Sequence, residues 1–157
     1  MNLSVEYALV GTGWAKCTLE SDDSRCEITA SYLSNALARL LIAAASLVAG
    51  FKTVSFGFDE EPGEYRWVIE AVDLNLCSLE ILEFPELNGN RPKSEGRLLF
   101  SAKLRPVVFG NAVLAAAQEL LAKHGESGYE ERWSEHSFPS LQLSMLENEI
   151  KNAGNAV

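Results

Sequence analysis

Apolar and polar residues alternate in short runs along this chain, and helical spacing interrupts them in two long stretches. Leu3, Val5, Tyr7 and Leu9 alternate with Asn2, Ser4, Glu6 and Ala8, which predicts a first strand ending at Gly11-Thr12-Gly13. Trp14 to Glu20 returns as a second strand, Ser21-Asp22-Asp23-Ser24 is a polar turn, and Arg25 to Thr29 is a short third strand. Ser31 reads as the N-cap of a helix that reaches Ala49, with Gly50 at C′. Leu33, Leu37, Leu40, Leu41, Ala44, Leu47 and Val48 recur in it at helical spacing, and only Asn35, Arg39 and a few serines interrupt the apolar surface. Such a helix packs centrally, against a sheet on one side and another element on the other.

Four further strands follow. Lys52 to Phe58 turns Val54, Phe56 and Phe58 inward, and a Pro62-Gly63 turn then opens a strand from Glu64 to Val72. Alternation puts Tyr65, Trp67 and Ile69 on one face of that strand and Glu64, Arg66 and Glu70 on the other. Leu76 to Phe84 repeats the plan, as does Arg97 to Leu104 with Leu98, Phe100, Ala102 and Leu104 on one face. Between them runs a loop over 84–96 with two prolines and an Asn88-Gly89 turn, longer than a hairpin needs. Pro106 suits the N1 position of a second long helix, which ends at Lys123-His124 before Gly125. Gly128 to Trp133 is a short helical turn, and Phe138-Pro139 leads into an amphipathic segment to about Ile150.

This order predicts one α+β domain over 1–150, with 151–157 a frayed tail. The expected architecture is a largely antiparallel sheet of about six strands. Two long helices pack on one face, with a short helical C-terminal segment, and the other face is charged and solvated.

Composition narrows the partners. The 157 residues carry a net charge of −9, with 47% apolar and 22% charged residues, so the chain folds around a real core. That charge speaks against nucleic acid and anionic membrane, which need a basic footprint, and suits a basic protein partner, although acidity also serves solubility. Cys17, Cys26 and Cys77 show no CxxC spacing, which argues for reduced thiols and against a disulfide framework or zinc site. Residues 1–7 lack a basic region followed by an apolar block, and the apolar run from Leu40 to Ala49 is too short to span a bilayer. A cytoplasmic location is expected.

Candidate chemistry is sparse. His124 ends a helix, where it complements the dipole; His136 lies near Glu131 and Glu135, but without HExxH or a second histidine no metal site is assigned. Gly11-Thr12-Gly13 lacks the third glycine and the helix of a dinucleotide loop, and no GxSxG, P-loop or kinase pattern occurs. No catalytic residue or cofactor is assigned, and the reading leans away from an enzyme. Asp59, Glu60, Glu61 and Glu64 form the densest acidic cluster, at a hairpin tip, which is a solvated turn first and a partner patch second. Trp67, Phe84, Tyr129, Trp133 and Phe138 accompany Glu83, Glu86, Glu130, Glu131 and Glu135, as aromatic anchors in a charged rim would. Core packing is the alternative, and for Trp67 and Phe138 the better one.

The segments 61–67 and 95–100, and Gly128-Tyr129 with Trp133 and Phe138-Pro139, together resemble a group of uncharacterised bacterial single-domain proteins, over roughly residues 30 to 145. Some small acidic α+β proteins of this look are immunity proteins, which bind and neutralise toxin domains from competing cells. The resemblance carries no catalytic residues. It implies a non-enzymatic protein-binding domain, in which Glu60, Glu61, Glu64, Glu83 and Glu86 steer the partner and the loop bearing Asn88 and Arg91 supplies shape. Two other readings stay open: a small enzyme or ligand-binding protein with a pocket between the sheet and the C-terminal helices, and a structural subunit of a homo-oligomer.

Overall fold

The computed structural model describes residues 2–87, 91–133 and 136–155. Among them, seven strands and three α-helices follow the expected order, but the strands divide into two sheets. β1 (Leu3–Val10), β2 (Trp14–Ser21) and β3 (Arg25–Ser31) form a three-stranded antiparallel sheet. β4 (Thr53–Asp59), β5 (Glu64–Asp73), β6 (Leu76–Phe84) and β7 (Arg97–Leu104) form a four-stranded one, also antiparallel and in sequence order. The expected single sheet of about six strands is thereby corrected. Both sheets are meanders in which each strand pairs only with its neighbours in sequence. The chain leaves β3 for a helix before β4 begins, so β3 and β4 touch without sharing a ladder.

That helix, α1 (Ala36–Val48), has its N-cap at Asn35, four positions later than the expected Ser31. Ser31 is instead the last residue of β3, paired with Trp14, and its buried Oγ accepts the Leu33 N–H in a turn. Asn35 precedes the helix, and Leu33 falls outside it, half exposed. The C-terminal end is as expected: Gly50 sits at φ 109°, its N–H meets the Leu47 carbonyl, and the Phe51 N–H reaches back to Ser46.

Most of α1 is buried, because it lies among β4, α2 (Pro106–Trp133) and α3 (Ser140–Asn155) rather than on one face of a sheet. Small residues permit this. Ala36, Ala43, Ala44 and Ala45 are buried, and α2 offers Gly110, where a Cβ would stand 2.6 Å from the Val48 Cγ2. A chain of rings ties both sheets to α2: Tyr7 of β1 meets Phe58 of β4 at 6.4 Å, Phe58 meets Trp67 of β5 at 5.2 Å, and Trp67 meets Phe109 of α2 at 6.3 Å.

Gly125 breaks α2 where a C′ glycine was expected, at φ 67° and ψ 172°, and the chain resumes helically to Trp133. α3 is longer than the expected short segment, so residues 151–155, read as part of a frayed tail, are helical. β7 departs from simple alternation. A bulge between its pairings with Ile81 and Leu82 turns Leu98, expected inward, onto the outer face opposite Leu82.

If α1 is the central element, Leu40→Ala should cost about 3 kcal/mol through the cavity it leaves. Gly110→Ala should cost about 1 to 3 kcal/mol through overpacking against Val48. Urea unfolding monitored by tryptophan fluorescence measures both, and a loss below about 1 kcal/mol for Leu40→Ala would contradict the packing described.

Candidate protein-binding surface

The acidic residues expected to meet a partner separate into two groups. Glu64 is buried, with its Oε1 3.0 Å from the Arg66 Nη2. The same guanidinium lies 4.1 Å over the Phe84 ring and donates to the Arg91 carbonyl at 2.6 Å. Arg91 in turn donates to Glu86 at 3.0 Å, Arg97 donates to Glu83 at 3.0 and 2.7 Å, and Lys93 pairs with Glu80. Gly96 packs against this array so closely that a Cβ would stand 2.7 Å from the Phe84 ring.

These contacts draw the β6–β7 connection across the outer face of the four-stranded sheet, over a small buried cluster of Val68, Leu82 and Phe84. The face expected to be wet is therefore partly covered. Glu64, Glu83, Glu86 and Arg91 hold that cover in place, and Asn88 lies outside the described residues. Glu60 and Glu61 stay at the β4–β5 tip without an ion-pair partner among the described residues, Glu61 exposed and Glu60 beside the Tyr65 phenol.

The aromatics weighed as anchors turn inward, which is the core packing preferred for Trp67 and Phe138 and a correction for Phe84, Tyr129 and Trp133. Trp67, Phe84, Tyr129, Trp133 and Phe138 are all buried, and Tyr129 packs against Trp133 and Phe138 to fix the end of α2 and the start of α3. Trp14 and Tyr32 instead face solvent, 37% and 38% exposed. Trp14 begins β2 on the phase it shares with Lys16, Thr18 and Glu20, opposite Ala15, Cys17 and Leu19, which are buried. Its register partners are Val10 and Ser31, and Tyr32 comes directly after Ser31 at the end of β3.

The backbone beneath these rings is firmly held. Tyr32 donates its N–H to the Gly13 carbonyl at 3.0 Å, and Gly13 donates to the Arg132 carbonyl of α2 at 2.7 Å. Gly13 takes φ +82°, and a Cβ there would stand 3.1 Å from the Tyr32 ring, so glycine permits both the turn and the close approach. Exposed Val10 and Leu33 extend the apolar surface.

Two segments bearing acidic residues adjoin it. The Asp59 N–H lies 3.5 Å from the Ser34 Oγ, which sets the β3–α1 connection beside the hairpin tip bearing Glu60 and Glu61. The second is the end of α2, where exposed Glu130 and Glu131 precede Arg132 on the same helical turn. Sequence reasoning passed over Trp14 and Tyr32, although a tryptophan on the polar phase of a strand was a usable sign.

The interior offers little chemistry. Cys17, Cys26 and Cys77 are unpaired and buried; burial pushes Cys17 well up, and Cys26 and Cys77 to about 11. Burial likewise raises Tyr7 and Tyr129, and burial with the Glu60 carboxylate raises Tyr65 to about 12. Partial burial, then the charges of Arg132 and Lys123, lower His124. His136 is half-buried and Glu131 exposed, while Glu135 lies outside the described residues; among the described residues no group of three metal-ligating side chains forms. No helix among them is long and apolar enough to cross a membrane. Comparison with protein-family models, curated proteins and solved structures finds no match.

The shifted thiols and phenols set a sign for alkaline stability. Each stays protonated in the fold above the pH where it ionises in the unfolded chain, near 9.0 for cysteine and 10.0 for tyrosine. Unfolding then releases protons, so stability should fall as pH rises past about 9, and urea midpoints between neutral pH and about pH 10.5 measure it. At pH 8 a disulfide reagent should leave the folded thiols largely unreacted and modify them at once in urea; rapid native reaction would contradict the burial.

Proposed function

We propose that this chain is a non-enzymatic, protein-binding domain of immunity type, acting in the bacterial cytoplasm. On this reading it docks a basic partner domain on the surface built by Trp14, Tyr32, Val10 and Leu33. The observation that carries the reading is the exposure of two rings on a hydrogen-bonded framework. Tryptophan and tyrosine supply large contact area at low entropic cost, and they dominate binding energy when neighbouring residues exclude water around them. Glu60 and Glu61 at the hairpin tip, and Glu130 and Glu131 at the end of α2, would draw in a basic surface.

The same reading divides the work among the acids. Glu64, Glu83 and Glu86 are engaged by arginines and support the fold of the β6–β7 connection, so their part in binding is indirect. The overall charge of −9 favours encounter with a cationic partner and disfavours nucleic acid.

The test is capture and quantitation of the product of the adjacent gene, tagged and presented to purified wild type and variants. Trp14→Ala and Tyr32→Ala should each weaken binding by about 30-fold, chiefly through faster dissociation. Glu60→Lys with Glu61→Lys should slow association and flatten its salt dependence, and Glu83→Gln should change affinity by less than about threefold. A partner bound equally well by the Trp14 and Tyr32 variants, or no partner at all, would refute the proposal.

A further inference from the structure

At the far end of α1 lies a second surface of different character. A groove of about 630 Å³ opens between the end of α1, the tip of the β5–β6 hairpin and the start of α2, with Val48, Ala71, Leu76 and Val107 among its walls. Two large apolar side chains stand out of it into water: Leu74 at the hairpin tip is 95% exposed, and Phe51 is 65% exposed. Val72 is half exposed on the same hairpin. The tip is a defined structure. Asn75 takes φ 60°, and the Leu74 N–H donates to the Asp73 Oδ1 at 2.7 Å, which fixes where the leucine projects.

We infer that this groove pairs two copies of the chain about a twofold axis, Leu74 of each copy filling the groove of the other. A twofold interface must be self-complementary, and this patch carries both parts of such a contact, a projecting apolar knob and an apolar hollow beside it. Its charges are self-complementary as well. Lys52 and Asp73 both line the groove, and neither has an ion-pair partner among the described residues. Rotation about the axis sets Lys52 of one copy against Asp73 of the other, twice.

The helix of 13 residues between the two surfaces keeps them roughly 20 Å apart. Pairing therefore leaves Trp14 and Tyr32 free, and it does not rest on their assigned role. A dimer built this way presents two copies of that surface.

Sedimentation equilibrium and light scattering of the full chain at about 1 to 200 μM test the pairing. The expected result is a concentration-dependent rise to twice the monomer mass. Leu74→Glu, at a solvent-exposed turn, should remain monomeric throughout with an unchanged circular dichroism spectrum and unfolding midpoint. Lys52→Asp and Asp73→Lys should each weaken association at least tenfold, and the two together should restore it. A monomer at every concentration would overturn the inference, as would a dimer indifferent to Leu74→Glu. A chain that stays monomeric and binds an anilinonaphthalene probe in the groove, lost in Leu74→Glu, would overturn it in favour of a small apolar ligand.

Discussion

A helix with one charged residue in its 13 has nowhere to go but inside, and the rest of this molecule is arranged to give it that place. α1 is too apolar to lie on a surface and too rich in alanine to hold neighbours at a distance. β4 supports it on one side, α2 and α3 close over it, and Gly110 removes the side chain that would keep α2 away. Its one charged residue, Arg39, escapes to the Gly57 carbonyl at 2.9 Å and to Asp59 at 3.8 Å. The sheets are consequently not a single layer with helices laid on it. They are two short meanders joined through the ring contacts of Tyr7, Phe58, Trp67 and Phe109.

Charge is distributed by the same logic. The acidic surplus is large, but Glu64, Glu83 and Glu86, which look available along the sequence, are occupied. The buried pair of Glu64 and Arg66 sits where desolvation makes an uncompensated charge costly, and Arg66 satisfies several groups at once: a carboxylate, a backbone carbonyl and the face of Phe84. The exposed pairs, such as Glu20 with Arg25, contribute little to stability by comparison. On the proposed reading, what is left unpaired near the rings of Trp14 and Tyr32 is therefore a better guide to encounter than the overall count.

Much of the fold was legible because alternation and turn chemistry agree with each other here. Gly11 to Gly13, Pro62-Gly63, Gly50 and Gly125 each mark a real boundary, and the strands β2, β5, β6 and β7 start where the pattern places them. Period alone does not show which strands share a ladder, so two sheets read as one. It also does not show that Ser31 would be taken up by pairing with Trp14 rather than by capping a helix. Leu98 was misplaced for a similar reason: a bulge adds one residue to β7 and inverts its facing, which composition does not record. The surface was the least legible. Tyr129 and Trp133 look like anchors when set beside glutamates in sequence, yet Glu130 and Glu131 are exposed while the two rings are buried. Glu64 looked free because its arginine partner lies two positions along the same strand, on the same face.

The Gly13 to Arg132 hydrogen bond joins the first hairpin to a helix near the opposite terminus. Contacts of such long sequence separation form late, since a large loop must close before they are rewarded. During synthesis the first three strands emerge well before the segment that pins their tip. The setting of Trp14 thus depends on a residue more than a hundred positions away: a nascent or truncated copy lacking Arg132 would carry the same tryptophan without the hydrogen bond that pins its turn.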